Sequence, residues 1–203
     1  MKSAALKLLT VAVLAASTLA TGTSQASGVL TIGCREESTT FDPIKSAQNR
    51  DSWVFANVYD VLIRVDNSGT RLVPGLAESW KVSDDGLTYT FHLHTGVKFH
   101  DGTPFSADDV KFSLDRARDP KSTNAQKQLF ADISSVDVVD PNTVKVTLTQ
   151  PQGDFLYDMG WGDAVIVSQK TAATNATNPV GTGPYRFSDW VKGDHVTLVA
   201  NTD

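Results

Sequence analysis

The sequence contains a single cysteine, Cys34, among its 203 residues. One cysteine excludes an intrachain disulfide and any zinc site built from several cysteines. Basic residues are also in short supply, because 18 Lys and Arg stand against 23 Asp and Glu and give a formal charge of −5. Nucleic-acid binding draws on clustered Lys and Arg, so this balance argues against nucleic acid as the main partner.

The composition is otherwise that of an ordinary globular protein. Hydrophobic residues make up 40% of the chain and charged residues 20%. These values exclude a collagen-like, coiled-coil or fully disordered chain. The length allows one domain or two small ones, with enough apolar material for a core.

Long apolar runs are absent except near the N-terminus, where residues 4–20 are mostly apolar. Lys2 and Lys7 supply positive charge, and small residues follow as far as Ser24-Gln25-Ala26. This order is the pattern of a secretory signal peptide, so we expect residues 1–26 to be removed after export. A membrane anchor is the alternative, but it needs about 20 apolar residues and this run is shorter and interrupted by polar ones.

Two interpretations of Cys34 follow from its position after the leader. A lipid-modified cysteine directly follows the apolar core and small residues, whereas here Val29–Gly33, a strand pattern, intervenes. We therefore expect Cys34 to be a small buried residue at the end of that strand.

Hydrophobic periodicity and turn signals predict an α+β, or mixed α/β, chain with more strand than helix. The expected helices cover residues 48–64 and 106–118. The expected strands cover 29–33, 80–82, 87–93, 133–139, 144–148, 185–191 and 195–200, and the period-two alternation of apolar and polar residues is clearest at 87–93. The last six of these strands are expected to pair in sequence order as three hairpins. Ser106 is expected to cap the second helix, and Asp119-Pro120 to end it.

Motifs for enzyme chemistry are missing. No Gly-x-Ser-x-Gly sequence occurs, and Cys34 has no histidine placed by sequence to activate it. Gly181-Thr-Gly183 resembles a nucleotide loop, but Pro184 and a predicted strand follow where phosphate binding needs the start of a helix. The enzyme hypothesis therefore has no positive support in the motifs.

Three histidines suggest one alternative function, that of a metal-dependent enzyme. His92 and His94 share one face of a predicted strand, and His100 follows shortly after. A secreted metal-dependent hydrolase would use these three residues as ligands. The simpler interpretation is that His92 and His94 lie on the solvated face of the strand, since no further ligand appears at a telling spacing.

A polar cluster after the first predicted strand is the main binding candidate. It consists of Arg35, Glu36, Glu37, Ser38 and Thr39. Its acids suit an ammonium group and its arginine suits a carboxylate, so the cluster is able to receive a zwitterion. From these residues alone, a solvated surface loop is the favoured alternative.

Trp161, between two glycines, is a second candidate. It is either a stacking wall for a ligand or a ring packed in the core, and its setting favours the core.

Several segments, taken together and in order, resemble the family 5 extracellular solute-binding proteins of bacterial ABC importers, which include dipeptide, oligopeptide and nickel binders. The matching segments are Phe41-Asp-Pro43, 77–94, Gly96-Val-Lys-Phe-His-Asp-Gly102, 103–110 and Val180-Gly-Thr-Gly-Pro-Tyr-Arg-Phe187. One position departs from the pattern, because His94 stands where the family usually has Arg or Lys.

The resemblance implies the first lobe of a two-lobed, hinged periplasmic-binding-protein fold (type II, cluster C), with the second lobe lying beyond this sequence. By analogy, residues 27–50 begin the core of the lobe, 51–162 form an inserted subdomain, and 163–203 return to the core.

The resemblance also implies binding without catalysis and without a cofactor. We expect a monomer that captures a small peptide in the periplasm and delivers it to an inner-membrane ABC permease; a nickel complex, a glycan or haem are rival solutes within the family. Glu37 occupies a position where some members carry a ligand-facing acid, which shifts the balance for residues 35–39 towards ligand binding. Trp161 joins them as a candidate ligand-binding residue.

Overall fold

The computed structural model describes residues 28–46 and 48–202. The expected signal peptide at 1–26 lies outside the described residues. Contacts divide the chain into two compact units, one ending at Gly33 and the other starting at Cys34. In the part of the chain that the structure covers, no helix combines the length and the apolarity that crossing a bilayer requires.

The described part of the first unit, residues 28–33, has no regular secondary structure. The strand expected at Val29–Gly33 is therefore wrong, and Val29 is 93% exposed. A strand needs a neighbour to satisfy its backbone N–H and C=O groups, and no described residue pairs with this segment. The burial expected for Cys34 is wrong for the same reason: without a preceding strand to carry it into a sheet, its side chain is exposed.

The second unit contains α-helices and antiparallel strands within its described residues. In chain order they are α1 (Asn49–Val58), β1 (Asp60–Val61), β2 (Ile63–Val65), β3 (Leu72–Pro74), β4 (Ala77–Val82), β5 (Thr88–Leu93), α2 (Ala107–Arg118), β6 (Ile133–Asp140), β7 (Thr143–Leu148), α3 (Phe155–Asp158), β8 (Val165–Ile166), β9 (Tyr185–Val191) and β10 (His195–Ala200). Short 3-10 helices cover Pro43–Lys45, Lys127–Phe130 and Gly162–Ala164. The mixed, strand-rich class expected from the sequence is confirmed.

The largest sheet has four antiparallel strands in the order β4-β5-β7-β6. Both predicted hairpins within it are confirmed, and Gly86, with a φ of 71°, makes the first of their turns. Alternation along β5 buries Tyr89, Phe91 and Leu93 and leaves His92 exposed. One face of the sheet therefore supplies the core, as the period-two pattern predicted.

Helix α2 packs on this sheet. Ser106 is the N-cap residue of α2, as expected, and its backbone N–H donates to the Asp109 carboxylate at 3.1 Å. Val110, Leu114 and Ala117 are buried on its apolar side, and the helix ends before Asp119-Pro120.

Helix α1 is shorter than predicted. It covers Asn49–Val58 rather than 48–64, because Tyr59 takes an extended conformation with a ψ of 164°. The following residues form strands instead: β1 pairs with β8, and β2 pairs with β3. The β-branched and aliphatic run after Asp60 suits a pleated strand as well as a helix, and tertiary pairing decides between them.

The buried apolar residues form two clusters. The first lies between the four-stranded sheet and α2. The second combines Phe41 with α1, β8 and the adjoining Val167 and Ala172, and side chains of β9 and β10 pack against it. This second cluster joins residues from the beginning and the end of the described chain.

The segment before β9 lies against the C-terminal end of α1 at two glycines. The Gly183 N–H donates to the Val58 carbonyl at 3.0 Å. A Cβ on Gly181 would stand 1.9 Å from that same oxygen, so no larger residue fits there without displacing backbone. The Gly-Thr-Gly motif therefore serves close packing against α1.

We predict that Gly181→Ala destabilises the chain by about 2 kcal/mol or more, because overpacking against rigid backbone forces a shift of the segment. The control is Gly153→Ala, where a Cβ meets no atom within 4 Å. Urea unfolding of both variants measures the effect. Equal midpoints for the two variants would show that the contact with Val58 does not constrain the fold.

Candidate functional site

The segment that contains the Phe41-Asp-Pro43 motif is anchored by a buried ion pair. Asp42 is fully buried, and its two carboxylate oxygens accept hydrogen bonds from the Arg116 guanidinium at 2.9 and 2.6 Å. The Lys45 ammonium lies 3.3 Å from the same carboxylate. Because Arg116 belongs to α2, this bidentate pair ties the segment to the helix that covers the main sheet.

Phe41 holds the same segment from the other side. Its carbonyl accepts a hydrogen bond from the Tyr59 hydroxyl at 2.9 Å. Its ring lies 5.5 Å from the Phe187 ring and 4.7 Å from the Trp190 ring, centroid to centroid. Burial, with a contribution from the negative charge of Asp42, raises the pKa of Tyr59 well above its ordinary value, so this hydroxyl remains a donor.

Glu37 is the member of the polar cluster for which the structure gives the clearest geometry. Its Oε1 accepts hydrogen bonds from the Trp190 indole N–H at 3.2 Å and from the Gly193 backbone N–H at 2.8 Å. Both donors belong to the β9–β10 hairpin, so Glu37 fixes the polar loop against the turn of that hairpin. The Lys192 ammonium lies 5.1 Å from the centre of the Trp190 indole, on the same turn.

The other members of the polar cluster are mostly exposed. Arg35, Glu36 and Thr39 are exposed, and Ser38 is half-buried. Such exposure fits a solvated loop and equally a rim that faces a ligand.

The structure places Trp161 away from the core. The residue is 59% exposed, and the interpretation of a packed core ring is wrong. The neighbouring positions Met159 and Ala164 are buried instead and occupy the core on either side of it. Trp161 immediately precedes the 3-10 helix Gly162–Ala164, which contacts both α1 and the 3-10 helix Pro43–Lys45. It is therefore carried by a turn that packs beside the anchored segment.

Two residues that sequence reasoning missed lie on the same elements. Trp53, on α1, is 61% exposed. The sequence did carry a signal for this exposure, because position 53 lies outside the apolar helical stripe of Val54, Phe55 and Val58. Asp163 is half-buried in the turn after Trp161, and burial raises the pKa of its carboxyl group. No pattern in the sequence predicts the burial of Asp163.

The histidines do not converge. His92 and His94 are exposed, as the simpler interpretation expected, and the His94 ring lies 3.8 Å from the Glu78 carboxylate. His100 is bracketed by the glycine segment: its Nε2 lies 2.8 Å from the Gly183 carbonyl oxygen, and its Nδ1 accepts from the Gly181 N–H at 3.4 Å. Over the described ranges, no group of three His, Cys, Asp or Glu residues is arranged to hold a metal ion.

Residues 71–203 match the family model described as bacterial extracellular solute-binding proteins, family 5 Middle. Among curated relatives, the glutathione-binding protein GsiB of Escherichia coli O1:K1 / APEC is 38% identical over 164 residues, which are 79% of this chain and 32% of GsiB. The chain thus spans about a third of the length of the curated relatives it matches.

Two solved structures are similar in fold. The periplasmic binding protein DppA of Helicobacter pylori, in complex with the peptide STSA, has a TM-score of 0.75 and 32% identity over 82% of this chain and 38% of its own. NikZ of Campylobacter jejuni, in complex with Ni(L-His), has a TM-score of 0.74 and 36% identity over 82% of this chain and 34% of its own.

We predict that His100 makes stability depend on pH. Burial lowers its pKa below the ordinary value of 6.5, helped by the Arg186 charge, although the Gly183 carbonyl and the acids Asp60 and Asp101 oppose the shift. The unfolded chain therefore binds a proton at His100 more tightly than the folded chain does. The neutral His100 ring thus favours the folded state above about pH 6.5, and this contribution to the free energy of unfolding is lost as the pH falls.

The measurement compares melting temperatures at about pH 7.5 and about pH 5.5. On acidification, the melting temperature of the wild type and of the exposed-site control His92→Gln should fall by more than that of His100→Gln. Equal losses in all three would contradict the assignment.

Proposed function

This chain belongs to family 5 of the bacterial extracellular solute-binding proteins, and we propose that it captures a small peptide in the periplasm for delivery to an inner-membrane ABC permease. The match to the family model over residues 71–203 carries the proposal. The described fold is that of one lobe of a periplasmic binding protein, and the chain is not an enzyme, because its family and its named relatives are solute-binding proteins.

The names of the relatives support a peptide as the solute. GsiB binds glutathione, which is a tripeptide, and DppA was solved with the peptide STSA. NikZ was solved with a nickel complex of histidine. All three solutes carry amino-acid carboxylate and amine groups, so the shared chemistry is that of amino-acid derivatives. A nickel–amino acid complex is the rival solute within that chemistry.

The proposed ligand-facing residues are those on and beside the anchored segment. They are Arg35, Glu36, Glu37, Ser38, Thr39 and Trp161. Charged groups of both signs in the loop suit the ends of a zwitterionic peptide, and an exposed indole suits an apolar side chain. The rigid hold on Phe41 and Asp42 supports this assignment, since a binding loop that is already fixed loses little entropy when the solute arrives.

The proposed organisation is a core interrupted by an insert, with a signal peptide at 1–26, core residues from 27, an insert to 162 and a return to the core at 163–203. The second apolar cluster supports the return, because it joins Phe41 to β8 and β9. Helix α1 packs against β9 as well. That contact supports a first boundary after Val58 rather than at residue 50.

Binding works in this proposal through a shift between open and closed forms of the whole protein. A solute favours closure only if it contacts the closed form more strongly than the open one. The closed form then docks on the permease, and the protein is expected to act as a monomer.

The direct test is a thermal-shift series on the secreted protein at its natural length. A peptide that binds raises the melting temperature, by roughly 2–3 °C when it is present at a hundred times its Kd. Dipeptides, longer peptides, Ni(L-His), glycans and haem form the panel. Stabilisation by Ni(L-His) and by no peptide would replace the peptide with the metal complex. No stabilisation by any member would overturn the proposed function.

We predict that Glu37→Gln weakens peptide binding about tenfold while preserving the fold. The amide oxygen of Gln still accepts from Trp190 and Gly193, so only the negative charge that faces a peptide ammonium is lost. Calorimetric titration with the best peptide measures Kd, and Asp84→Asn, an exposed turn position, is the charge-matched control. An unchanged Kd in Glu37→Gln would assign Glu37 to positioning the hairpin alone.

A further inference from the structure

Strand β6 lies at the edge of the four-stranded sheet. Strand β7 pairs with one side of it, and no strand within residues 28–46 and 48–202 pairs with the other. The open side of an edge strand presents backbone N–H and C=O groups on which a further strand can form. No residue of β6 belongs to the ligand-binding assignment made above.

Two cations of helix α2 occupy carbonyl groups of β6. The Lys111 ammonium donates to the Val136 carbonyl at 2.8 Å. The Arg118 guanidinium donates to the Ile133 carbonyl at 3.0 Å and to the Ser134 carbonyl at 3.3 Å. These two side chains, Lys111 and Arg118, are the edge cover of the sheet.

Asp115 holds both members of the edge cover in place. Its Oδ2 accepts from the Lys111 ammonium at 2.8 Å, and its Oδ1 accepts from Nε and Nη2 of Arg118 at 2.9 and 2.8 Å. Positions 111, 115 and 118 are about one helical turn apart, so the three residues follow one side of α2. Because hydrogen bonds between charged groups are stronger than neutral ones, Asp115 keeps the two cations on β6.

The C-terminal half of β6 lies beyond the edge cover and exposes apolar side chains. Val138 and Val139 are 36% and 60% exposed. The pairing of β6 with β7 is irregular between Val138 and Asp140, and Val139 has no partner in the register. Apolar residues of high β-propensity beside an open edge promote pairing between chains. Such an edge benefits from a device that keeps further strands away.

A second copy of this chain supplies a strand that fits the open edge. Its β6 has the same length and the same open side, and two copies related by a two-fold axis pair antiparallel. With the axis at Val136, Asp137 of each copy stands opposite Ser135 of the other, so these carboxylates do not face each other. The two sheets would then continue as one.

We propose that the edge cover keeps β6 from pairing with β6 of a second copy, and so keeps the chain from associating through its main sheet. A pairing strand needs carbonyls of β6 as acceptors, and the two cations already occupy three of them. The incoming strand must displace the ammonium and the guanidinium and bury their charge, which costs more than the neutral hydrogen bonds of the new pairing return.

The test measures the mass of the secreted protein, at its natural length, by light scattering over a series of concentrations. The test variant is Lys111→Met/Arg118→Met, because methionine keeps an apolar stem on α2 and removes the charge. The control is Lys121→Met/Lys127→Met, which removes two positive charges from exposed positions outside α2 and β6. We expect the mass of the test variant to rise with concentration towards twice that of the wild type, while the wild type and the control keep one mass.

A third change identifies the edge. Val139→Pro is added to the test variant, because proline is tolerated at edges and bulges and has no N–H to donate to a new strand. We expect it to return the mass to the wild-type value. Circular dichroism melting shows which variants are folded. If the test variant is not, Lys111→Met alone replaces it, frees the Val136 carbonyl and gives a smaller rise in mass.

The outcomes decide the proposal. A wild-type mass at every concentration in the folded variants that lack Lys111 overturns it. A rise in mass that the control shares also overturns it, since that rise would follow from lost charge alone. A rise that Val139→Pro leaves in place overturns it as well, since the contact would then lie elsewhere. None of these outcomes depends on whether the protein binds a peptide.

Discussion

The buried pair between Asp42 and Arg116 is the interaction on which the rest of this structure depends. Asp42 has no exposed surface, so its charge is tolerable only because a guanidinium meets both carboxylate oxygens. Removing one partner of such a pair costs about 3–5 kcal/mol, since the other charge is left buried alone. The pair joins a loop near the start of the chain to a helix in the middle of it, and so links the two apolar clusters.

That link explains why the polar loop has a defined position. The loop precedes Phe41, whose backbone is held by Tyr59 and Ala176 and whose ring is held by β9. Glu37 then extends the attachment to the turn of the β9–β10 hairpin. In the proposed binding role of this loop, a solute meets groups that the core already fixes, which suits selective capture of a small zwitterion.

Local patterns in the sequence predicted the elements whose stability is local. The β4–β5 hairpin, the capped helix α2 and the β9–β10 hairpin are fixed by period-two alternation, turn glycines and a capping carboxylate, and all three are confirmed. The errors fall where a distant partner decides. Residues after Val58 leave the helix because β8 and β3 pair with them, and Trp161 is exposed because its neighbours already fill the core. The partner of Asp42 was likewise invisible, since no local pattern connects it with Arg116 across 74 positions.

The central claim is that this protein holds a small amino-acid-derived solute without altering it. Native mass spectrometry of the protein purified from the bacterial periplasm without denaturation tests this claim most directly. The account predicts one peptide or related zwitterion per protein, released intact on unfolding and rebound when the protein refolds. A bound solute that emerges chemically changed, or a protein that neither carries nor rebinds any such solute, would contradict it.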